Sequence, residues 1–215
     1  MEKRKYTDRI GAIIVAAGNS TRMKKPKMLI NIDNKPLFLY PVRLCLNNGV
    51  FPIILVTGNN SIEIEKQLMI HMKKNEIEKI FLVRNFNPSL GLSSSLKYGI
   101  TNILDFDTDA VFIFLGDQPL ITSRDVNCII ESYLKNKARY KIFRPLYNNV
   151  PGHPVLFDSS LYKEFFNLSG DKGAIKIIQN NLSRVHFIHM KNPIGHYDID
   201  TKLDLDIVRT LGGYK

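Results

Sequence analysis

The sequence is short of the features that mark several classes of protein. Its only two cysteines, Cys45 and Cys128, have neither metal-binding nor redox spacing and do not make a disulfide framework. Its apolar runs stay well below the roughly eighteen residues that a membrane-spanning helix requires. No internal segment has the composition of a linker, a repeat or a low-complexity tract. We therefore expect a cytoplasmic protein with no membrane partner.

Acidic residues are also scarce, since 20 Asp and Glu stand against 30 Lys and Arg, for a formal net charge of +10. Such a positive field attracts an anionic ligand, which could be a nucleotide, a phosphorylated small molecule or nucleic acid. The basic residues form no stripe interleaved with aromatics, and no nucleic-acid-binding motif is present. We therefore expect a small anionic ligand and no nucleic-acid partner.

What is present is the balance of one globular domain, with 44% hydrophobic residues in a chain of 215. We expect a single domain over 1–215, in which the polar residues 1–8 form a loose tail. Strands are predicted at 10–16, 52–57, 79–84, 110–115, 141–146, 153–157 and 184–190. Helices are predicted at 36–48, 61–73, 93–104, 123–136, 159–166, 171–181 and 202–211.

The first four predicted strands are short, continuous and rich in β-branched residues, as buried parallel strands are. Their alternation with helices predicts an α/β fold with a doubly wound, mostly parallel sheet. In such sheets ligands bind beyond the carboxyl ends of the strands. Candidate site residues are therefore sought where predicted strands end.

The stretch AAGNSTRMKKPK, residues 16–27, follows the first predicted strand and can bind phosphate. Its small residues let backbone N–H groups approach a polyphosphate, while its hydroxyls and cations can bind phosphate oxygens. Neither the P-loop nor the Rossmann glycine pattern is present, and an ordinary turn with a solvated basic tail is the alternative. The candidate phosphate-binding residues are Ala16, Ala17, Gly18, Ser20, Arg22 and Lys27.

Acidic residues occur at two places that suit a metal ion. Asp117 comes after Gly116 at the end of a predicted buried strand, where a carboxylate can hold Mg²⁺ together with substrate phosphates. Asp198 and Asp200 point the same way in an extended segment, so both can face one cation. Alternatively, Asp117 only forms a turn before Pro119, and one acid of the second pair, most naturally Asp200, only caps the following helix.

Other polar groups lie near predicted strand ends and helix starts. Ser94 and Ser95 follow Gly91 at a helix start, where hydroxyls and free N–H groups suit an anion or a base edge, although an N-cap is the simpler explanation for one serine. Thr57 and Gly58, at the end of the second predicted strand, are also assigned to the nucleotide.

Three further residues, Gly152, His153 and Lys172, are candidates for binding an acceptor. His153 lies between Gly152 and Pro154 and could contact the acceptor, although a structural role is at least as reasonable for it. Lys172, in the segment GDKGA, could bind an acceptor phosphate or remain a solvated lysine.

Together these motifs resemble the nucleotidyltransferases of the molybdenum cofactor, most closely the molybdenum cofactor cytidylyltransferases. The resemblance extends over nearly the whole chain, and its motifs occur in the order of that family. They are AAGNSTRM with the downstream Pro-Lys (16–23 and 26–27), GLSSSL (91–96), GDQP (116–119), GHP (152–154), GDKGA (170–174) and DIDT (198–201).

The resemblance implies a Rossmann-like nucleotidyltransferase fold, with a nucleotide-binding half at about 9–120 and an acceptor-binding half at about 121–215. It also implies Mg²⁺-dependent transfer of CMP from CTP to the terminal phosphate of molybdopterin, giving molybdopterin cytosine dinucleotide and pyrophosphate. Arg22, Lys27 and Asp117 would be catalytic. Ala17 replaces a glycine of the guanylyl relatives, and its methyl group favours CTP over GTP. A molybdenum hydroxylase or its maturation factor is a further candidate partner.

Lys24 departs from the family, which usually has glycine after Arg-Met, and Lys202-Leu203 replaces a common Pro-Glu. Neither change removes a proposed catalytic group. Two alternatives stay open: a cytidylyltransferase acting on a sugar phosphate or polyol phosphate, and a non-catalytic accessory protein that delivers the dinucleotide cofactor to a molybdenum hydroxylase. The carrier is disfavoured because it would need no metal-binding acid.

Overall fold

The computed structural model describes residues 9–18 and 26–214 of the chain. The strands are β1 (Ile10–Ala16), β2 (Asn31–Ile32), β3 (Lys35–Pro36), β4 (Ile53–Thr57), β5 (Ile80–Arg84), β6 (Ala110–Leu115), β7 (Ile142–Tyr147), β8 (Val150–Pro151), β9 (Val155–Asp158) and β10 (Val185–His189). The α-helices are α1 (Leu39–Asn47), α2 (Ser61–His71), α3 (Lys74–Ile77), α4 (Leu92–Ile103), α5 (Ser123–Asn136), α6 (Ile175–Asn180) and α7 (Lys202–Gly212). Short 3-10 helices occur at Lys27–Leu29, Pro88–Leu90, Ser159–Asn167, Gly170–Lys172 and Leu182–Arg184.

The main sheet has the strand order β10-β7-β9-β6-β1-β4-β5, with β8 paired to β7. Strand β1 runs parallel to β4 and β6, and β5 and β10 run parallel to their neighbours. Only β9 runs antiparallel between β6 and β7 along this path, so β6 and β7 share one direction. The predicted doubly wound, mostly parallel α/β sheet is confirmed. Strands β1, β4, β5, β6, β7 and β10 all end at one edge.

Helices cover both faces of this sheet, which is why β1 and β4 are buried along their whole length. On one face the apolar side chains of α1, α2 and α5 pack against the strands, with Phe112 and Phe143 among the fully buried aromatics. On the other face α4, α6 and the 3-10 helix Ser159–Asn167 pack around Ile113 and Phe157. No helix in the described ranges is both long and apolar enough to cross a membrane.

Two tight hairpins were missed by the sequence patterns. Strands β2 and β3 are joined by Asp33 and Asn34, whose φ angles are 50° and 61°. Strands β7 and β8 are joined by Asn148 and Asn149, with φ angles of 49° and 66°. Two successive residues at positive φ are typical of two-residue hairpin turns, and Asn and Asp tolerate that conformation. The predicted helix 36–48 begins only at Leu39 because the first hairpin occupies its start.

Two predicted helices differ from the structure. The segment predicted as a helix at 159–166 is a 3-10 helix over Ser159–Asn167. The helix predicted at 171–181 is divided into a 3-10 turn at Gly170–Lys172 and α6, because Gly173 has a φ of 56° that a helix cannot contain. The prediction also missed the short helix α3.

Candidate active site

Three chain segments bring charged groups together at the carboxyl edge of the sheet. Lys27 follows the loop after β1, Asp117 follows β6, and Asp200 precedes α7. The Lys27 ammonium donates hydrogen bonds to Asp117 Oδ2 at 2.6 Å and to Asp200 Oδ1 at 2.7 Å. The Ile199 N–H donates to the Asp117 carbonyl at 3.2 Å, which fixes the last segment beside β6. The sequence therefore correctly placed these residues near one another.

Asp117, Asp198 and Asp200 form a carboxylate cluster, in which one oxygen from each residue lies within 4.8 Å of the others. Burial and the negative charge of Asp117 raise the pKa of Asp198. Asp117 Oδ1 is buried and has no hydrogen-bond partner among the described residues. An unpartnered carboxylate oxygen beside two further carboxylates suits a hard divalent cation, which takes oxygen ligands. The residues thus fit the metal that the sequence predicted.

Lys27 is the cation that lies between these acids, and only 12% of its side chain is exposed. Burial by itself would lower the pKa of Lys27, but the charges and hydrogen bonds of Asp117 and Asp200 outweigh it and raise the pKa. The ammonium is therefore fully charged at neutral pH. It partly neutralises a cluster that would otherwise repel a nucleotide.

The alternative in which Asp200 only caps α7 is wrong. Thr201 is the N-cap, and its hydroxyl accepts a hydrogen bond from the Asp204 N–H at 3.2 Å. The Asp204 carboxylate in return accepts hydrogen bonds from the backbone N–H groups of Thr201 and Asp200. This reciprocal capping box leaves the Asp200 side chain available to Lys27.

Part of the predicted phosphate loop lies in the described ranges. Ala16 and Ala17 are buried at the end of β1, and an added Cβ at Gly58 would lie 2.9 Å from the Ala17 carbonyl oxygen. Apart from its chain neighbours, no described residue lies within 4 Å of a Cβ on Gly18. Ser20, Arg22 and Lys24 lie outside the described residues, so their assignments stay predictions.

The other residues assigned to the nucleotide make internal hydrogen bonds. Thr57 is fully buried, and its hydroxyl lies 3.1 Å from Ser61 Oγ. Ser94 Oγ and Ser95 Oγ accept hydrogen bonds from Asn85 Nδ2 at 2.7 Å and 3.0 Å. These three hydroxyls therefore support the shape of the site, and any contact they make with a base is in addition to that role.

Asn85 was missed by the sequence reasoning although it holds the start of α4. Its side chain is fully buried, and its Oδ1 accepts a hydrogen bond from the Asn87 N–H at 2.8 Å. A polar residue directly after β5, followed by Asn87 and Pro88, was the available signal for an ordered turn.

The segments GLSSSL (91–96) and GDKGA (170–174) contact each other in the structure. Gly91 has a φ of 88°, and a Cβ on it would lie 2.5 Å from Asp171 Oδ1. That carboxylate oxygen accepts a hydrogen bond from the Leu92 N–H at 3.3 Å. The segment that contains Lys172 is therefore docked against the N-terminus of α4, with Lys172 itself exposed.

The predicted acceptor residues Gly152 and His153 lie between β8 and β9 at the same edge of the sheet. A Cβ on Gly152 would lie 2.7 Å from the Tyr147 ring, and Tyr147 Oη donates to the His153 carbonyl at 2.9 Å. Burial, with a contribution from the Arg144 charge, lowers the pKa of His153 to about 4. His153 is therefore neutral at pH 7.

Two further polar groups near the carboxylates have no hydrogen-bond partner among the described residues. Gln118, 5% exposed, follows Asp117 and has an unpartnered Oε1, while its Nε2 lies 3.5 Å from the His196 carbonyl oxygen. His196 has an unpartnered, buried Nδ1. Gln118 belongs to the GDQP motif but was not assigned to the site, and His196 was not singled out because an isolated His gives no pattern.

Comparison with known proteins shows which family the chain resembles. Residues 12–185 match the MobA-like NTP transferase domain. The chain is 30% identical over 147 residues to the molybdenum cofactor cytidylyltransferase of Escherichia coli, covering 68% of this chain and 69% of the relative. It is 29% identical over 133 residues to the bifunctional protein GlmU of Syntrophotalea carbinolica, covering 61% of this chain. It is also 29% identical over 135 residues to the 2-C-methyl-D-erythritol 4-phosphate cytidylyltransferase of Lachnoclostridium phytofermentans, covering 61% of this chain and 54% of the relative. The match to GlmU covers only 27% of the length of that relative.

Solved structures share the fold over almost the whole chain. A homologue of Rv0371c from Mycobacterium sp. strain JC1 superposes with a TM-score of 0.77 at 25% identity, covering 95% of this chain and 96% of the other. Rv0371c of Mycobacterium tuberculosis, in a complex with manganese, superposes with a TM-score of 0.72 at 20% identity, covering 93% and 97%. The nucleotidyltransferase-type fold predicted from the sequence is thereby confirmed.

Proposed function

The chain belongs to the MobA-like NTP transferase domain family, and from that premise we propose that it transfers CMP from CTP to the terminal phosphate of molybdopterin. The products would be molybdopterin cytosine dinucleotide and pyrophosphate. The observation that carries nucleotidyl transfer is the lysine held between two acids of a carboxylate cluster at the carboxyl edge of the sheet. The six motifs in order and the Escherichia coli relative support the choice of acceptor.

In this reaction an oxygen of the acceptor phosphate attacks the α-phosphorus of CTP. The bond from that phosphorus to the oxygen bridging to the β-phosphorus breaks, and this oxygen leaves with pyrophosphate. Because the attacking phosphate is already an anion, no strong general base is needed, and catalysis rests on positioning and charge. Arg22 is proposed to contact the triphosphate, and Lys27 to donate hydrogen bonds to phosphate oxygens once it leaves the carboxylates.

Asp117, Asp198 and Asp200 are proposed to hold Mg²⁺, for which their oxygen-rich, partly buried cluster is suitable. The cation, when bound, would offset negative charge on the phosphate oxygens. The manganese complex of Rv0371c lends support to a divalent ion in this fold. We further propose that residues 9–120 mainly bind the nucleotide and residues 121–215 mainly bind the acceptor.

The test is pyrophosphate release by the purified chain with Mg²⁺ and molybdopterin, comparing CTP, GTP, ATP and UTP. We expect release with CTP, and loss of release in Asp117→Asn with the fold unchanged by circular dichroism. The matched control is Lys141→Met, which disrupts another lysine–aspartate pair, Lys141 Nζ to Asp158 Oδ2 at 3.3 Å. Release with GTP instead of CTP would contradict the base assignment and the argument from Ala17.

A second candidate is a cytidylyltransferase acting on a polyol phosphate or a sugar phosphate. The observation that favours it is the similarity to the methylerythritol phosphate cytidylyltransferase. The sequence GDQP at 116–119 favours the molybdenum relatives, as does the agreement of GHP and GDKGA. If CTP is consumed only when molybdopterin is replaced by methylerythritol phosphate or a sugar phosphate, the second candidate is correct.

A further inference from the structure

Arg144, in the middle of β7, carries a positive charge that the described part of the chain does not balance. Its side chain is partly buried, its Nε is fully buried, and it makes no hydrogen bond or ion pair with any described residue. Burial lowers the pKa of Arg144 accordingly. A partly buried guanidinium whose Nε has lost water without gaining a hydrogen bond is suited to an anion that the described residues do not supply.

Backbone pairing places the segment that contains His153 beside Arg144. In the hairpin of β7 and β8, Leu146 pairs with Pro151, and the Gly152 N–H donates to the Pro145 carbonyl at 3.0 Å. Arg144 and His153 are the next residues along these two segments, and the Arg144 charge helps to lower the pKa of His153, so the two side chains lie close enough to interact. A neutral histidine adds no second charge there, but its ring can still donate or accept one hydrogen bond.

The segment that contains His153 also lies at the edge of the sheet where the carboxylate cluster lies. Strand β9 begins at Val155, opposite Ile113 near the carboxyl end of β6, and Asp117 follows β6. His153 therefore precedes β9 at this edge, and Arg144 lies on β7, the neighbour of β9 on the side away from β6.

We propose that Arg144, with His153 beside it, binds a phosphate group of the acceptor. The planar guanidinium can form two parallel hydrogen bonds to phosphate oxygens, which a lysine cannot do in the same geometry. This inference rests on the proposed function only in taking the acceptor to be a phosphorylated molecule, whichever molecule that is. It adds to Gly152, His153 and Lys172 a residue that the sequence motifs did not identify.

The test uses inorganic phosphate as the probe and the imidazole NMR signals of His153 as the readout, assigned with His153→Asn. The chain is titrated at constant ionic strength as the unaltered protein and as Arg144→Gln, Arg144→Lys and Lys141→Met. We expect a saturable shift of the His153 signal that Lys141→Met retains, since that variant removes a lysine paired with Asp158 and not a residue of the proposed site. Arg144→Gln should weaken phosphate binding at this signal at least tenfold, because a charge-assisted pair is lost. Arg144→Lys should weaken it less.

A second readout separates binding from a structural role. Because Arg144 has no partner to lose, we expect Arg144→Gln to have a melting temperature equal to or above that of the unaltered chain. A lower melting temperature with an unchanged phosphate shift would overturn the proposal, as would a His153 signal that phosphate does not move. With molybdopterin as acceptor, Arg144→Gln should raise the KM for the acceptor and leave the KM for CTP unchanged. If molybdopterin is not a substrate but the phosphate contrast holds, the proposed function fails while this subsite stands.

Discussion

Replacing Lys27 by methionine should make the nucleotide-free protein bind a divalent cation more tightly. The Lys27 ammonium lies 2.6 Å from Asp117 Oδ2 and 2.7 Å from Asp200 Oδ1, so it occupies space that a cation bound to the same oxygens would need. A metal ion must therefore displace two charge-assisted hydrogen bonds before it can bind. Methionine fills a similar volume without charge, and it removes this competition.

The size of the effect follows from how exposed the three groups are. Two unit charges about 4 Å apart interact by roughly 4 kcal/mol at an effective dielectric constant of about 20, before the desolvation of the entering ion is subtracted. Asp117 is 16% exposed but Asp200 is 51% exposed, so solvent screens the second pair strongly. A net competition of about 1 to 2 kcal/mol remains, equivalent to a gain in metal affinity of about 5- to 30-fold.

Mn²⁺ binding can be measured by the loss of the free-ion signal in electron paramagnetic resonance, without nucleotide or acceptor. Lys141→Met is the matched control, because it removes an ammonium paired with Asp158 rather than with the cluster. Its Mn²⁺ affinity should equal that of the unaltered chain. An unchanged or weaker affinity in Lys27→Met would refute the reasoning that lysine and metal compete for Asp117 and Asp200.

Three further changes test the site and its support. Asp198→Asn should raise the melting temperature of the metal-free protein at pH 7. Burial and the charge of Asp117 raise the pKa of Asp198 in the folded chain, so its ionised form destabilises the fold. The gain should vanish as pH falls below about 4, where the aspartate is protonated in both the folded and the unfolded chain. Asn85→Ala should lower the free energy of unfolding by about 1 to 3 kcal/mol in urea titrations, because it removes the donor to the buried Ser94 and Ser95 hydroxyls, of which Ser94 keeps its bonds to the Asn87 and Gly91 carbonyls. A loss below about 0.5 kcal/mol would contradict this. Gly91→Ala should destabilise the chain more than Gly213→Ala. Both glycines have a positive φ, but of the two only Gly91 lacks space for a Cβ. Equal urea midpoints for the two variants would argue against the contact of Gly91 with Asp171.

Local sequence signals identified the elements that position the proposed catalytic groups. The apolar runs that become β1, β4 and β6 are buried on both faces, so burial alone determines their pattern and their parallel pairing. Asp117 could be predicted because it directly follows one such run, at the edge where ligands bind. The failures occurred where a backbone conformation decides the outcome, as at Gly173, which divides a predicted helix, and at Asn148-Asn149, which close a hairpin.

The remaining features of the site depend on contacts between distant segments. Nothing local to Asn85 shows that its amide will meet Ser94 and Ser95, because that contact forms only when α4 packs beside β5. The sequence likewise does not show that Arg144 lacks a hydrogen-bond partner, since an arginine on a strand is normally solvated or paired. Only the backbone contact that brings the segment of His153 beside it, and the lack of a hydrogen-bond or ion-pair partner among the described residues, distinguish it.

The charges of the cluster bear on the order in which the ligands arrive. Among the described groups, three carboxylates and one ammonium sum to −2, from −3 and +1. A nucleoside triphosphate without a metal ion would carry further negative charge toward this edge, and repulsion at short range would oppose its binding. A divalent cation brings the sum to zero and competes with Lys27 for the carboxylates. The lysine is then released to contact phosphate oxygens, so metal and triphosphate should bind cooperatively. Mn²⁺ titrations of the unaltered chain should therefore show tighter binding with CTP present, whereas Lys27→Met should lose much of that coupling.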